Sequence, residues 1–345
     1  MLLSHDVFSY VDYARLGLRH GLDPYVHAPD AAPSDPAFAD VTWPETTSAY
    51  GPLFTLATYP LAWLPVDAAV AVLKAVAALS VLGLALVVAR IAAWRGVNPL
   101  RAAAFVALNP LVLVHVVGGA HNDGLTMLLA MLAVAALLVR REASAGAGLV
   151  CAIAIKASAA VLAPFALLAA ARPRRERTTS RIAGKTAFSA EEAVLSAVSP
   201  WRPVARLTFG ALGAGLIVGV VAWLAFGWDW THAFGLAGEN QDRTSHMSIP
   251  VTFARLAGLG AGPVRTVALG LYGAALVGLL VWTWRGGDWV RAAAWAAFGL
   301  LLATSWLLPW YLIWALPLAA VSRDRTLTLL ILALTAYQLG ARIPI

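Results

Sequence analysis

The first fifty residues combine carboxylates with aromatic rings at a density that an ordinary linker does not need. Asp6, Asp12 and Asp23 lie among tyrosine, phenylalanine and tryptophan, and the Asp23-Pro24 and Trp43-Pro44 pairs predict turns. Sugars present apolar C–H faces and hydroxyl rims, so ring faces beside carboxylates indicate carbohydrate binding. A carboxylate in such a site can also take a proton from a hydroxyl group.

Each of these acids has a plainer interpretation as well. Asp6 precedes Val-Phe-Ser-Tyr, where an aspartate commonly caps the start of a helix. Asp12 fits a solvated helix face and Asp23 fits a turn, so both are second choices for a base. The stretch from 7 to 20 is predicted to form a helix lying on the membrane surface.

Four side chains are candidates for binding a lipid phosphate. Lys156 lies in a mostly apolar run, where a charge costs about 3 kcal/mol on insertion scales and therefore indicates function. The alternative is a lysine that reaches toward the interface. Arg243 and His246 lie in a polar loop, for which plain solvation is an equal alternative, and Arg15 is the fourth candidate.

Two further groups of polar and aromatic residues follow. The turn His121-Asn122-Asp123 is a candidate for hydrogen bonding to sugar or phosphate, although Asp123 would equally stabilise the start of the next helix. Trp306, Trp310 and Trp314 share one face by their spacing. An interfacial aromatic belt explains most of them, and one of them could line a cavity. The first loop has no Asp-x-Asp pair, so we expect no divalent metal.

The rest of the chain must position these residues. Of 345 residues, 60% are hydrophobic and only 12% are charged, against about 25% in ordinary globular domains. Apolar runs predict helices near 68–90, 99–117, 122–140, 207–227, 264–284, 291–307, 309–321 and 326–343, with a shorter piece at 53–64. The sequence therefore predicts an all-α polytopic membrane protein.

The distribution of basic residues predicts the orientation. Arginines flank alternate turns, and the positive-inside rule places those loops in the cytoplasm, including the basic segment 172–206. A helix crossing fully at 148–171 would place that segment outside, so 148–171 is predicted to be a re-entrant pair of half-helices turning near Lys156. The net charge of +7 then reflects orientation and not binding to nucleic acid.

This scheme divides the chain into external loops at 1–52 and 228–262 and transmembrane regions at 53–171 and 207–345. This scheme needs an apolar segment before residues 1–52 to translocate them, and none precedes them in the sequence. We therefore expect a leading transmembrane helix to be missing from this chain.

Several short motifs occur in an order found in one known family. They are His5-Asp6-Val7-Phe8-Ser9-Tyr10, Gly21-Leu22-Asp23-Pro24-Tyr25, Ala49-Tyr50-Gly51-Pro52-Leu53, Asn109-Pro110, Gly119-Ala120-His121-Asn122-Asp123, Lys156, and Trp306-Leu307-Leu308-Pro309-Trp310-Tyr311 with Trp314. The ordered set resembles the polyprenol-phosphomannose-dependent α-1,6-mannosyltransferases, GT-C fold enzymes of actinobacterial lipomannan assembly. The resemblance implies a GT-C-like bundle of about nine to eleven transmembrane or re-entrant helices with a large first external loop.

The resemblance also implies roles for individual residues. Asp6 matches the acidic residue that deprotonates the acceptor hydroxyl. Candidates for sugar or acceptor binding are Tyr10, Asp23, Tyr25, Tyr50, His121, Asn122, Asp123 and Trp310. The implied enzyme inverts the anomeric centre as it moves mannose from polyprenyl-phosphate mannose to an α-1,6-mannan acceptor. The reaction would take place on the external face of the cytoplasmic membrane. The expected partners are the lipid donor, a glycolipid or mannan acceptor and membrane lipids, with no cofactor.

Three alternatives stay open at the level of sequence. One is a related lipid-linked transferase for another sugar such as arabinose, because sugar identity depends on pocket shape. Another is a lipid or sugar transporter or flippase, although transporters usually show internal repeats and several midplane charges. The third is a membrane subunit without catalytic activity.

Overall fold

The computed structural model describes residues 4–172, 201–239 and 242–341, and within these ranges the regular structure is helical, without a β-strand. The predicted cytoplasmic loop at 172–206 therefore lies mostly outside the described residues. In chain order the α-helices are α1 (Asp6–Arg19), α2 (Pro52–Thr58), α3 (Val66–Trp94), α4 (Pro99–Ala107), α5 (Asp123–Leu138), α6 (Glu142–Ile155), α7 (Ala163–Ala170), α8 (Arg202–Phe226), α9 (His232–Glu239), α10 (Ile249–Leu256), α11 (Ala261–Trp284), α12 (Trp289–Ala303), α13 (Leu316–Val321) and α14 (Arg325–Gly340).

Three of these helices are long and apolar enough to cross a membrane. α3, α8 and α11 have 29, 25 and 24 residues and mean hydropathies of 2.4, 2.2 and 1.9, and a bilayer core needs about 20 apolar residues. α8 and α11 bury very little of their apolar surface against protein, since 11% and 0% of their most apolar segments are buried. Side chains that point outward in this way suit contact with lipid. The all-α polytopic membrane fold predicted from composition is confirmed.

The helices begin and end close to the predicted positions, but several of the predicted segments are interrupted or end early. The 99–117 segment breaks at Asn109-Pro110 and continues as a π-helical stretch over Val112–Val117. The 291–307 segment stops at Ala303, because the carbonyls of Thr304 and Ser305 leave the helix to accept hydrogen bonds from Ser248 and Ser245. The 309–321 segment begins as a 3-10 turn at Pro309–Trp314 before α13.

The predicted 148–171 segment is interrupted at Lys156. α6 ends at Ile155, Lys156 takes an extended backbone conformation, and a 3-10 turn over Ala157–Leu162 leads into α7. The end of α6 lies beside the N-terminal region, where the Gly51 N–H donates to the Ile155 carbonyl at 3.0 Å.

The chain reverses direction at this interruption. Beyond α7, the Arg172 guanidinium donates to the Thr283 and Gly287 carbonyls at the end of α11. The neighbouring Asp288 pairs with Arg95 at the far end of α3. The end of α6 therefore lies near Gly51, and the end of α7 lies near the end of α11; that the two form a re-entrant pair stays a prediction. Its depth in a membrane stays a prediction.

Helix α1 differs from the surface-lying helix predicted for it. Val7, Val11 and Ala14 are fully buried, and so are the polar side chains of Asp12 and Arg15. Arg15 is held inside by Asp35 at 2.6 Å and by the Ala62 carbonyl at 3.2 Å. Protein segments cover α1 on nearly every side, because the proline-rich stretch after it folds back over the helix. Sequence periodicity cannot reveal such a cover.

Replacing Gly51 with alanine should destabilise the fold by about 2 kcal/mol, as overpacking commonly does. A Cβ atom at Gly51 would lie 2.1 Å from the Ala154 carbonyl oxygen, a backbone atom that cannot move aside cheaply. The measurement is thermal unfolding in detergent. Gly213→Ala is the matched control, because a Cβ atom there meets nothing within 4 Å. Equal unfolding temperatures for the two variants would contradict the close packing of Gly51 on α6.

Candidate active site

A cavity of about 370 Å³ opens on the N-terminal side of the molecule. Its walls come from α1, the loop at 43–50, the interruption at 156–158, Arg243 and the segment from the end of α12 to Trp314. Eight of the twenty residues that line it are aromatic. The lining residues are Asp6, Ser9, Tyr10, Tyr13, Trp43, Thr46, Thr47, Ala49, Tyr50, Lys156, Ala157, Ser158, Arg243, Leu300, Thr304, Trp306, Leu308, Trp310, Tyr311 and Trp314.

Asp6 faces this cavity from the first turn of α1. The helix cap is His5, with no side-chain capping bond, so the interpretation of Asp6 as a helix cap is wrong. The Asp6 side chain is 21% exposed. Burial raises the pKa of this carboxyl to about 6, while the positive charge of nearby Lys156 acts in the opposite direction. A carboxylate with a pKa close to working pH suits proton transfer.

Lys156 reaches the cavity from the interruption between α6 and the following 3-10 turn. Its Nζ lies 2.8 Å from both carboxylate oxygens of Asp123, and Trp314 Nε1 donates to the same carboxylate at 2.6 Å. The ammonium also lies over the rings of Tyr311 and Trp314, at 5.2 and 5.7 Å from their centroids. An ammonium has three donors, so one remains for a ligand in the cavity.

Asp123 does not reach the cavity as a sugar-binding residue. Its side chain is fully buried and its oxygens are occupied by Lys156 and Trp314. A buried, doubly bonded carboxylate at the start of α5 holds the lysine in place instead. The structure therefore corrects the predicted direct contact between Asp123 and sugar.

The two residues before Asp123 also lie behind the cavity wall. His121 stacks on Trp310 with ring centroids 3.8 Å apart, and its Nδ1 lies 3.9 Å from Asp6. Asn122 is buried and its side-chain atoms have no partner. The turn is set by Ala120, whose φ of 56° lies in the left-handed region that a residue with a Cβ atom adopts at a cost. His121 and Asn122 therefore support the wall and do not line it.

The other predicted cations separate into one that lines the cavity and two that do not. The Arg243 guanidinium lines the cavity and lies 4.6 Å from the centroid of the Trp43 ring. His246 is exposed on the same loop and is not among the lining residues. Arg15 is buried on the other side of α1 in its ion pair with Asp35. Only Lys156 and Arg243 among the four candidates share the cavity with Asp6.

The alternative bases are also absent from the cavity wall. Asp12 is buried rather than solvated, and burial together with Asp35 raises its carboxyl pKa to about 7. Asp23 accepts a hydrogen bond from the Tyr25 backbone N–H at 2.8 Å, the turn geometry that was its plainer interpretation. Tyr25 packs on Phe226 and donates to Thr55, outside the cavity.

Of the predicted sugar-binding residues, Tyr10, Tyr50 and Trp310 line the cavity. Tyr13, Trp43 and Tyr311 line it too but were not predicted as site residues. The density of aromatic residues in the first loop pointed to Tyr13 and Trp43, and the four-residue tryptophan spacing pointed to the neighbourhood of Tyr311. No local pattern distinguished the lining rings from the supporting ones.

Within residues 4–172, 201–239 and 242–341, no three side chains of His, Cys, Asp or Glu come together as a set of metal ligands. The expectation of a reaction without a divalent metal stays a prediction. Chemistry in this cavity can draw on one carboxylate, two cations and many aromatic faces.

The fold and the cavity define a polytopic α-helical membrane protein with an aromatic-lined cavity that contains one carboxylate and two cations among the described residues. Residues 2–172 match the family model described as Alpha-(1->6)-mannopyranosyltransferase, N-terminal domain. Over residues 2–172 the chain therefore belongs to this N-terminal domain family.

Individual relatives extend this similarity. The chain is 32% identical over 341 residues to Alpha-(1->6)-mannopyranosyltransferase A of Mycobacterium tuberculosis, an alignment that covers 92% of this chain and 61% of the relative. It is 32% identical over 169 residues to Alpha-(1->6)-mannopyranosyltransferase A of Corynebacterium glutamicum, with 48% of this chain and 34% of the relative covered. The chain thus spans less than two thirds of the length of either relative. No solved structure matches it.

Proposed function

We propose that this protein is an inverting glycosyltransferase that moves mannose from polyprenyl-phosphate mannose to an α-1,6-mannan acceptor. The reaction would take place on the external face of the cytoplasmic membrane. The observation that carries the proposal is the joint placement of the Asp6 carboxylate and the Lys156 ammonium in one aromatic cavity. Membership in the mannopyranosyltransferase family supports the choice of sugar.

A single displacement is the chemistry that this cavity favours. Among the lining residues that the structure describes, Asp6 is the only carboxylate, whereas a double displacement through a covalent sugar intermediate uses two. The acceptor oxygen forms a bond to the anomeric carbon as the bond from that carbon to the phosphate oxygen breaks. The electron pair leaves with the polyprenyl phosphate, and Asp6 takes the acceptor proton.

The leaving phosphate needs positive charge, which the cavity supplies from two sides. Lys156 offers its third donor from the chain interruption, and Arg243 approaches from the second loop. Charge-assisted hydrogen bonds of this kind are stronger than neutral ones and gain most where charge develops during the reaction. The lipid tail would extend from here into the bilayer beside the outward-facing helices.

The direct test is transfer of labelled mannose from purified polyprenyl-phosphate mannose to α-1,6-mannan acceptors by the protein in detergent. We expect an elongated product with the labelled sugar in α-linkage. If the protein transfers sugar only from polyprenyl-phosphate arabinose, the proposed donor sugar is wrong and the proposed reaction class stands. If intact donor crosses the vesicle membrane and no sugar is transferred, the protein is a transporter and not a transferase.

The rate should depend on pH through Asp6. Because the base must be ionised and its pKa is raised to about 6, kcat/KM should be constant above about pH 7 and fall roughly tenfold per unit well below pH 6. Steady-state kinetics from pH 4.5 to 8.5 would measure this acid limb. A rate that increases on acidification through pH 6 would mean that the group acts as an acid, contrary to the proposal.

A further inference from the structure

Helix α10 presents an apolar stripe to the outside of the protein. Its members Ile249, Phe253 and Leu256 are 37%, 57% and 80% exposed. At the spacing of an α-helix, these three side chains fall within about 60° of one another around the helix axis. Arg255 is exposed beside them. Large apolar side chains on one exposed face with a basic residue at the flank are typical of a helix that lies in a membrane surface.

The other side of α10 packs on the protein. Pro250 and Ala254 are buried, and the Thr252 hydroxyl lies 3.2 Å from the Tyr337 hydroxyl of α14. At the start of the helix, Ser248 Oγ donates to the carbonyl of Thr304 at 2.9 Å, and Thr304 lines the cavity. The helix is therefore attached to the cavity wall on one side, while its apolar stripe faces away from the protein.

A short link joins α10 to α11. Because α10 ends at Leu256 and α11 begins at Ala261, the Cα atoms of these two residues are at most about 19 Å apart. The Leu259 N–H donates back to the Ala254 carbonyl at 2.8 Å, and Gly258 has a φ of 66°, in the left-handed region that favours glycine. This arrangement commonly ends a helix. It holds α10 next to the first turn of α11.

The first turns of α11 have the properties of a membrane entry point. With 24 residues, α11 is about 36 Å long, slightly more than the roughly 30 Å of a bilayer core. None of its most apolar segment is buried, since the buried share is 0%. Near its start, Arg265 pairs with Asp242 of the preceding loop at 2.9 Å, and charges are costly inside the core. The stripe of α10 is thus continuous with the polar end of a lipid-facing helix.

This continuity favours lipid as the partner of the stripe. Single exposed apolar side chains are normal on a protein surface, but here three of them share one helix face, and Leu259 in the link is 55% exposed as well. Arg255 adds a positive charge at the flank, which suits the phosphate groups of lipid headgroups. The surface therefore fits the boundary between water and the acyl chains, where both kinds of side chain are accommodated.

We propose that α10 is an interfacial helix, whose apolar stripe lies in the bilayer surface and holds the neighbouring loop there. That loop carries Arg243, which lines the cavity, and its Ser245 N–H donates to the Ser305 carbonyl at 2.9 Å. Immersion of α10 therefore fixes the depth at which the Arg243 side of the cavity lies relative to lipid. The inference goes beyond the proposed function, because it concerns contact with lipid whichever sugar is transferred.

The test measures the depth of a single fluorescent label on the protein in lipid vesicles. Cys151→Ala removes the one cysteine of the chain, and Leu256→Cys then carries a small thiol-reactive fluorophore. A nitroxide at the top of the lipid acyl chain should quench this label at least about twofold more than a nitroxide near the end of the chain, because an interfacial helix lies only about 5–10 Å into the headgroup boundary. Iodide in the water should quench it little.

Two matched labels define the ends of the scale. Leu271→Cys lies near the middle of α11 and replaces a side chain that is 67% exposed, so the deep nitroxide should quench its label more than the shallow one. Ser34→Cys lies at an exposed position of the proline-rich stretch after α1. Iodide should quench the label at Ser34, and neither nitroxide should.

Three results would overturn the proposal. A label at Leu256 that behaves like the one at Ser34 places α10 in water, and one that behaves like the label at Leu271 places it in the bilayer core. A label that neither iodide nor a nitroxide quenches is covered by protein, such as a second copy of the chain. Sugar transfer has no part in this measurement, so failure of the depth prediction leaves the proposed function untouched, and failure of mannose transfer leaves the depth result standing.

Discussion

The Asp6→Asn variant should lose about 10²- to 10⁴-fold in kcat/KM for mannose transfer, the range that a general base contributes. An amide of the same shape cannot accept the acceptor proton, and Asp6 is the only carboxylate among the described cavity-lining residues. The side chain makes no helix-capping bond, so the fold should be retained and donor KM should change little. Steady-state kinetics with thermal unfolding of the same preparation would measure both.

Asp67→Asn is the matched control for this loss. Asp67 stands in the first turn of α3, as Asp6 stands in the first turn of α1, but it is exposed and outside the cavity. The control should transfer mannose at the wild-type rate. Comparable activity in the two variants would show that another group removes the proton.

The second large effect is a loss of stability that we expect when either Lys156 or Asp123 is replaced. Lys156→Met leaves the fully buried Asp123 carboxylate with the Trp314 hydrogen bond but without its counter-ion, and Asp123→Asn leaves the ammonium without its own counter-ion. Removing one partner of a buried pair typically costs about 3–5 kcal/mol. Each single variant should therefore unfold at a clearly lower temperature.

The double variant separates stability from function. With both charges removed, most of the stability should return, because no uncompensated charge stays buried. Donor KM should remain roughly tenfold or more above the wild-type value, as expected for loss of a charge-assisted hydrogen bond to phosphate. A double variant with the wild-type donor KM would assign the lysine a structural role alone.

The Arg291–Asp324 pair provides the control for that comparison. Arg291 lies in the first turn of α12 and Asp324 caps the start of α14; their side chains are 2.7 Å apart, and neither lines the cavity. Arg291→Met with Asp324→Asn should leave donor KM unchanged. A rise in donor KM in this control would mean that any disturbed ion pair mimics the loss of Lys156.

The sequence predicted the helices well because apolar runs of sufficient length can hardly form anything else in a membrane. It also indicated the interruption at Lys156, since a lysine in an apolar run and a basic segment beyond it both argued against a full crossing. These are local signals. Each can be interpreted within about twenty residues of chain.

The residues that line the cavity could not be predicted in the same way, because they are brought together by contacts between positions far apart in the sequence. The sequence could not show that Asp35 would occupy Arg15, or that Asp123 would occupy Lys156 and so be withheld from sugar. Nor could it show that Trp43 meets Arg243, two hundred positions later. Cations and carboxylates are good candidates by type, but pairing decides which of them remain available to a ligand.

The outward faces of α8 and α11 decide how this molecule must be handled in the laboratory. Because only 11% and 0% of their most apolar segments are buried inside the protein, amphiphiles have to cover the rest of these two helices. A micelle that is too small or too harsh would act on them first, ahead of the cavity. The choice of detergent therefore affects the stability of the folded protein as well as its purification.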